Sequence, residues 1–325
     1  MNRKRLFIFM VVLSSILYLF LPFLGTIKLS LDSILTSDTH RMIFWEIRVP
    51  RLIMGFIAGS ILSLAGLLFQ NIFKNSLATP YTLGISSGAS AGVVIAIKLN
   101  ISFIFLGLSA RSFFGFFGGI LSIFLIISIA KLVRSFSIYT LLMSGIAINF
   151  FFSSLVAITL YLFDFTQTVT ILRWLLGGIE PVKYSEIIFI SIIYIIFVII
   201  IFVLKNQLLI SSIGDEFALS KGLDIKKFRL RVFFLVSIII GILVTYTGPI
   251  GFVGLIVPHI SRLIFKSNIK ANIIVTMIMG GLFLGYADFI ARILIPPAEI
   301  PVGIITSLIG APFFIFVLIT SLKKK

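Results

Sequence analysis

The chain has 325 residues, of which 59% are hydrophobic and 12% charged, and its mean hydropathy is +1.22. These values exclude a soluble globular protein and indicate a polytopic membrane protein that forms one domain over residues 1–325. The net charge of +16 does not require a nucleic acid, because the basic residues lie mostly in short connections. The absence of cysteine excludes disulfides, zinc thiolates and thiol catalysis.

Long apolar runs occupy most of the chain and predict an all-α protein with about ten transmembrane helices. The first run follows Arg3, Lys4 and Arg5 and has no small-residue cleavage site after it, which predicts an uncleaved helix. The eighth run is short and contains Pro258, which predicts a broken or tilted helix. The predicted spans are residues 6–24, 51–72, 82–98, 112–133, 138–163, 185–204, 230–247, 250–265, 271–294 and 301–321.

The distribution of basic residues predicts the orientation of these spans. With ten spans and the N-terminus inside, 18 of the 27 Lys and Arg residues lie on the cytoplasmic side and nine lie outside. This bias agrees with the positive-inside rule and places basic loops against anionic membrane lipid. We therefore expect both termini in the cytoplasm.

The segment Lys205–Arg231 is the exception to the apolar pattern, with nine charges in 27 residues. Ser212 and Asp215 fit the pattern of a capping box at a helix start. Gly222 is suited to ending that helix in a left-handed conformation, and Asp224 to capping a second one. The sequence predicts two short polar helices joined by a tight corner. An ordinary loop is the alternative, but a docking element explains the caps better.

Few residues in the chain could supply energy or catalysis. No P-loop motif is present, so the chain does not bind nucleotide phosphates by that route. Asp288 is the one acid well inside a predicted span, and its spacing from Arg292 predicts mutual neutralisation on one helix face. Two histidines, His40 and His259, do not form a metal-ligand or catalytic group. We expect no enzyme activity and no bound cofactor.

Arg48-Val-Pro-Arg51 lies at the predicted outer end of the second span. Pro50 suits the first turn of a helix, and the two arginines share one face. From the residues alone, anchoring at the membrane interface by snorkelling is favoured over a pair of guanidinium groups that await carboxylates from a partner.

Two glycine-containing segments lie within or beside predicted spans. Asn75–Ala89 is a turn followed by a Gly- and Ser-rich helix, which either packs tightly or lines a pore. Thr247–His259 is the broken segment, and irregular backbone at membrane depth requires protein or a water-filled cavity around it. The second segment favours a transport route over a passive anchor.

Six segments in this order resemble the FecCD (BtuC-like) permeases, the membrane subunits of ABC importers for iron–siderophores, haem and vitamin B12. The resemblance covers nearly the whole chain. Two departures from the family pattern are Ser76, where proline is usual, and Lys221, where leucine is usual. The segments are Arg48-Val-Pro-Arg51, Gln70 with Asn75-Ser-Leu-Ala-Thr-Pro80, Leu83-Gly84-Ile-Ser-Ser-Gly88-Ala89, Gly214-Asp215-Glu216-Phe-Ala218-Leu-Ser-Lys-Gly222, Gly251-Phe-Val-Gly254-Leu-Ile-Val-Pro258-His259-Ile-Ser-Arg262, and Glu299-Ile-Pro301-Val-Gly303-Ile-Ile-Thr306 with Gly310-Ala-Pro312-Phe-Phe.

The resemblance implies a type II ABC importer fold and a multi-pass protein of a bacterial or archaeal cytoplasmic membrane. It implies a second permease copy as a homodimer or paralogue, two ATP-binding subunits inside and a substrate-binding protein outside. By the same resemblance, segment 206–228 carries the coupling helix, with Gly214, Asp215, Glu216, Ala218 and Gly222 against the ATPase. The outer arginines Arg48, Arg51 and Arg292 are then expected to meet acids of the binding protein.

The family's pore-lining elements suggest Ser144, Gly145, Asn149, Ser153 and Gly248 as pore residues. Transport would proceed by alternating access driven by ATP on the partner subunits. An ion-coupled secondary transporter that depends on Asp288 or His259 is the alternative, and an intramembrane enzyme lacks a visible nucleophile or metal group. The sequence does not show which chelate is carried. It also does not show whether the chain forms a homodimer or a heterodimer.

Overall fold

The computed structural model describes residues 3–105, 108–134, 137–296 and 298–322. Nearly all of the ordered structure in this part of the chain is helical. A two-residue antiparallel pair, β1 (Ile104–Phe105) with β2 (Leu108–Ser109), is the exception. The α-helices are α1 (Arg3–Leu19), α2 (Leu31–Thr36), α3 (Asp38–Met42), α4 (Val49–Ile72), α5 (Ile85–Lys98), α6 (Ala110–Leu132), α7 (Ile138–Tyr161), α8 (Phe165–Leu175), α9 (Tyr184–Ile213), α10 (Asp215–Ser220), α11 (Ile225–Thr247), α12 (Val253–Phe265), α13 (Ile269–Ile293) and α14 (Val302–Leu322).

Ten of these helices correspond one to one with the ten predicted spans. Among the described residues, seven apolar helical stretches are long enough to cross a membrane, and the shorter apolar segments α5, α12 and Val302–Val317 of α14 account for the others. The all-α fold class is therefore confirmed. The short eighth span is α12, which contains Pro258 and begins after Phe252 in a left-handed conformation with φ 67°.

Several short elements were not predicted from the sequence. Residues Ile43–Arg48 form a π-helix that runs directly into α4, and Leu21–Phe23 form a 3-10 turn. Asp164 caps α8 by accepting a hydrogen bond from the Gln167 amide. Only Ile171 of α8 is buried, so this helix lies on the surface of the chain with apolar side chains exposed.

The chain divides into two compact units. One unit comprises residues 1–64, 178–196 and 251–325, and the other comprises residues 65–177 and 197–250. Each unit has its own helix packing, described separately below. A single functional domain over residues 1–325, with its coupling segment at 206–228, stays a prediction.

Small residues bring helices of the first unit together. At Gly59 of α4, an added Cβ would collide with the backbone carbonyl of Gly280 on α13. Ser60 donates to the Met277 carbonyl at 2.8 Å, and Ser63 donates to the Thr276 carbonyl at 2.9 Å. Close backbone approach and interhelical hydrogen bonds are what hold helices together where lipid supplies no hydrophobic drive.

The Gly- and Ser-rich helix α5 is a packing helix of the second unit. A Cβ at Gly88 would lie 2.6 Å from the Gly118 carbonyl of α6, so α5 and α6 approach closely. Ser122 donates to the Gly84 carbonyl at 2.8 Å. Gly84 has φ 75°, and its backbone meets Gly145 of α7. Of the two predicted roles for this segment, the described structure supports tight packing.

We predict that Gly59→Ala destabilises the protein by about 1–3 kcal/mol, because its methyl group must push α4 and α13 apart. The thermal unfolding temperature in detergent should fall by several degrees. The matched control is Gly178→Ala, since no atom lies within 4 Å of a Cβ at that position. An equal loss of stability in both variants would show that the close approach is not what matters.

Candidate functional site

The polar segment contains a short helix with a well-defined end. Helix α10 ends in a Schellman motif, in which the Gly222 amide donates to Leu219 and the Leu223 amide donates to Ala218, both at 2.9 Å. Gly222 has φ 75°, the left-handed conformation that favours glycine. Asp224 then caps α11 by accepting from the Lys227 amide at 3.1 Å. The predicted helix end at Gly222 and the predicted cap at Asp224 are confirmed.

Two details of the predicted helix pair are wrong. Helix α9 continues to Ile213, so Ser212 lies in its last turn and donates to the Leu209 carbonyl rather than capping α10. The second helix is not short, because Asp224 caps the 23-residue spanning helix α11 itself. Because α9 continues to Ile213, the backbone groups around Ser212 find hydrogen-bond partners within that helix. This is more favourable than ending the helix earlier and starting a new one with a capping box.

Asp215 ties α10 to the rest of its unit. Its carboxylate accepts from Lys74 Nζ at 2.6 Å and from Arg229 Nη2 at 2.9 and 3.0 Å. Arg229 also donates from Nε to the carbonyl of Ile72, the last residue of α4, at 3.1 Å. The start of α10 is therefore fastened to the end of α4 and the first turns of α11. Arg229 is itself buried.

The electrostatics keep this carboxylate ionised. Partial burial acts to raise the pKa of Asp215, but the hydrogen bond from Lys74 and the charge of Arg229 outweigh it and hold the pKa below the usual value of an aspartate. Asp215 is therefore an anion held by two cations of the chain, and its contact with an ATPase stays a prediction.

The exposed face of α10 consists of other residues. Ala218 is fully buried, Gly222 forms the helix end, and Asp215 faces the chain's own cations. Of the five residues predicted at this site, Glu216 is exposed, and the Asp215 side chain is 41% exposed although it is bonded to Lys74 and Arg229. Phe217 and Leu219 are exposed beside it, with 61% of Leu219 accessible. Sequence reasoning missed these two, although apolar residues flanking a buried alanine in a polar helix were a usable signal.

A second charged cluster lies in the other unit. Arg51 donates from Nε to both carboxylate oxygens of Asp288 at 3.2 and 3.1 Å, from Nη2 to Asp288 at 3.0 Å, and from Nη1 to Glu299 at 2.8 Å. Arg292 Nε lies 3.2 Å from Asp288, without hydrogen-bond geometry. The predicted pairing of Asp288 with Arg292 is confirmed, but the main partner of Asp288 is Arg51. Both side chains of that pair are buried.

Arg48 is held by backbone carbonyls instead of carboxylates. Its guanidinium donates to Pro22 at 2.8 Å, Leu24 at 3.3 Å and Ile27 at 2.5 Å. Its exposed fraction is 7%, and that of Arg51 is 8%. Both arginines are buried and bonded within the chain. The sequence alternatives were side chains that extend to the membrane interface and guanidinium groups that await a partner's carboxylates, and neither is present. Docking of a partner through Arg48 and Arg51 stays a prediction. It would require Arg48 to leave its carbonyl contacts and Arg51 to exchange Glu299 for an acid of the partner.

The predicted pore residues differ in their surroundings. Ser144, Gly145 and Gly248 are buried, and Gly145 packs against Leu83 while Gly248 packs against the Trp174 carbonyl. Asn149 is partly accessible and Ser153 is exposed. Pore lining stays a prediction for all five residues.

The described residues offer little for the alternative mechanisms. No group of three His, Cys, Asp or Glu side chains in them is placed to hold a metal ion. Asp288 is occupied by Arg51 and Arg292, and His259 packs edge-on against Phe313 with ring centroids 6.1 Å apart. A buried acid already neutralised by two arginines is a poor carrier site for a coupling ion.

Many apolar helices, a fixed polar helix between two of them and internally neutralised charges define a multi-pass membrane transport protein. The chain matches the FecCD transport family over residues 7–320 and belongs to that family. It is 32% identical to the hemin transport system permease protein of Yersinia pestis, across 98% of this chain and 96% of that protein. It is 34% identical to a probable iron chelatin transport system permease protein of Helicobacter pylori, across 85% and 82%.

Solved structures agree with this family. A metal-chelate type ABC transporter in an inward-facing conformation matches with a TM-score of 0.82 and 27% identity, covering 95% of this chain and 97% of that chain. The PsaBC structure from Streptococcus pneumoniae in complex with Fab matches with a TM-score of 0.60 over 88% of this chain. Its 18% identity shows a likeness of fold alone.

We predict that Asp288→Asn costs about 3–5 kcal/mol of stability, because it leaves Arg51 buried without its carboxylate. The thermal unfolding temperature in detergent is the measurement. Glu299→Gln is the matched control, since this carboxylate contacts the same arginine with its side chain 56% exposed. The control should cost about 1 kcal/mol or less. The reverse order of effects would contradict the role given to Asp288.

We predict that Asp215→Asn loosens α10 without unfolding the chain. Amide hydrogen exchange over residues 215–223 should accelerate by roughly fivefold, the effect of about 1 kcal/mol. Because the pKa of Asp215 is lowered, this stabilisation is complete above pH about 4 and is lost as the pH falls through the folded-state pKa. The control is Glu216→Gln, at the neighbouring exposed acid, which should leave hydrogen exchange unchanged. Faster exchange in both variants would contradict the role of the Asp215 ion pairs in holding α10.

Proposed function

We propose that this chain is the membrane-spanning permease subunit of an ABC importer that carries a metal chelate across the cytoplasmic membrane. Membership of the FecCD transport family supports the class. The chelates named for relatives, hemin and iron chelatin, together with the vitamin B12 of the Klebsiella pneumoniae import permease, define the substrate class. Iron–siderophore, haem and cobalamin are all metal-centred rings or chelates too large for a simple ion channel.

The observation that carries the proposal is the fastened helix α10. It is a surface helix between two spans, and its Asp215 is bonded to Lys74 and Arg229 and thereby to the ends of α4 and α11. A force applied to the exposed residues Glu216, Phe217 and Leu219 would be passed directly to two spanning helices. Such a connection is what a permease needs when ATP is hydrolysed on a separate subunit.

The proposed partners follow from the same arrangement. Two cytoplasmic ATP-binding subunits would receive α10, so that this chain binds no ATP and needs no cofactor of its own. A second permease copy, either identical or paralogous, would complete the translocation path. Both termini would then lie in the cytoplasm, as the basic residues at each end favour.

An extracytoplasmic binding protein is the remaining proposed partner. The charge cluster of Arg51, Arg292, Asp288 and Glu299 is its proposed docking area, together with Arg48. Glu299 has the most exposed side chain in the Arg51 ion pairs. An acidic group of the binding protein could compete with Glu299 for Arg51 without disturbing the buried bond to Asp288.

We predict that Glu216→Arg combined with Leu219→Asp uncouples transport. These changes reverse a charge and remove an apolar contact on the exposed face of α10, and loss of such an interface anchor costs about 2 kcal/mol or more, roughly thirtyfold in affinity. The measurement is ATP-dependent chelate uptake and ATPase copurification with the full complex in proteoliposomes. Lys131→Asp, at another exposed residue, is the control.

The outcomes separate the parts of the proposal. Normal uptake and normal ATPase copurification in the α10 variant would contradict the coupling role. Uptake that continues without any ATPase subunit would contradict the importer class itself. The ligand that the partner binding protein holds, measured by titration with an iron–siderophore, haem and cobalamin, decides the substrate.

A further inference from the structure

An apolar groove of about 270 Å³ lies between α1 and α13 in the first unit. Helix α1 is at the margin of its unit, with most of its side chains exposed. Apart from the hydroxyl groups of a serine and a tyrosine, the groove walls are hydrocarbon or thioether. The lining residues are Phe7, Met10, Val11, Ser14, Met279, Leu282, Phe283 and Tyr286.

A contact marks each end of the groove. At one end, Tyr286 donates to the Ser14 carbonyl at 2.7 Å and bridges the two helices. At the other end, the ring of Phe7 meets Phe265 edge-on with centroids 6.0 Å apart. Phe7 and Ser14 are seven residues apart on one face of α1, which corresponds to about 10 Å of groove.

Basic residues surround the Phe7 end. Lys4 precedes Phe7 by three residues and therefore lies on the same face of α1, one turn further out. Lys266 directly follows Phe265, and both lysines are exposed. The sequence contains no Asp or Glu in residues 3–31 or in residues 251–287. The charge at this end of the groove is thus uniformly positive.

We propose that this groove binds one anionic phospholipid, with an acyl chain between α1 and α13 and its phosphate beside Lys4 and Lys266. The apolar walls match an acyl chain, and the neighbouring lysines match a headgroup with net negative charge. A zwitterionic lipid would satisfy only the first requirement, and free phosphate only the second. The inference depends on the membrane location of the chain and not on the transported substrate.

The test is native mass spectrometry of the full chain in neutral detergent, with phosphatidylglycerol and phosphatidylcholine of identical acyl chains. We expect one tightly retained phosphatidylglycerol and a clear preference over phosphatidylcholine. Lys4→Gln with Lys266→Gln should reduce that preference about tenfold, since each basic residue contributes to attraction of an anionic headgroup. Met279→Trp, which fills the groove, should reduce retention of both lipids.

The matched control is Lys131→Gln with Lys226→Gln, which removes two exposed lysines of the other unit. It should leave retention unchanged. A photoactivatable acyl phosphatidylglycerol should label peptides of residues 3–19 and 269–293 in the unaltered protein, which keeps the proposal testable if Met279→Trp fails to fold. Equal retention of the two lipids, equal loss in the control, labelling elsewhere, or displacement by inorganic phosphate would each overturn it.

Discussion

A charge placed among apolar helices is costly unless it is paired, and this constraint organises both polar clusters of the chain. Arg51 satisfies it with Asp288, a residue 237 positions away in sequence. Arg229 satisfies it with Asp215 and with the free carbonyl at the end of α4. Each pairing joins helices that hydrophobic burial alone would leave free to slide, because lipid solvates apolar side chains as well as another helix does.

Helix α4 takes part in both clusters. Its first turn supplies Arg51, and its last residue, Ile72, supplies the carbonyl that Arg229 binds. Between these ends, Gly59, Ser60 and Ser63 make close backbone contacts and hydrogen bonds with α13. Polar contacts therefore hold α4 at its first turn, along its middle and at its last residue.

The sequence predicted the local features well. The ten apolar helices, the left-handed Gly222 and the Asp224 cap depend on residues within a few positions of one another, and all three are present in the described residues. The internal ion pairs of Asp215 and the packing of Gly145 could not be inferred in the same way. Whether an acid in a short helix faces a partner or faces the chain depends on which cations the fold brings beside it, and Lys74 lies 141 residues earlier.

By itself, the sequence determined the membrane class, the number and order of the spans, the position of the polar helix and the family motifs. These follow from composition and short-range periodicity, which fix what each segment can do locally. Only the tertiary structure decided that Arg48 and Arg51 are bonded internally, that Glu216, Phe217 and Leu219 form the open face of α10, and that α1 and α13 enclose a groove. Those outcomes depend on which distant helices become neighbours. The physical reason is that a buried polar group must be hydrogen-bonded, and its partner is whichever group the fold places beside it.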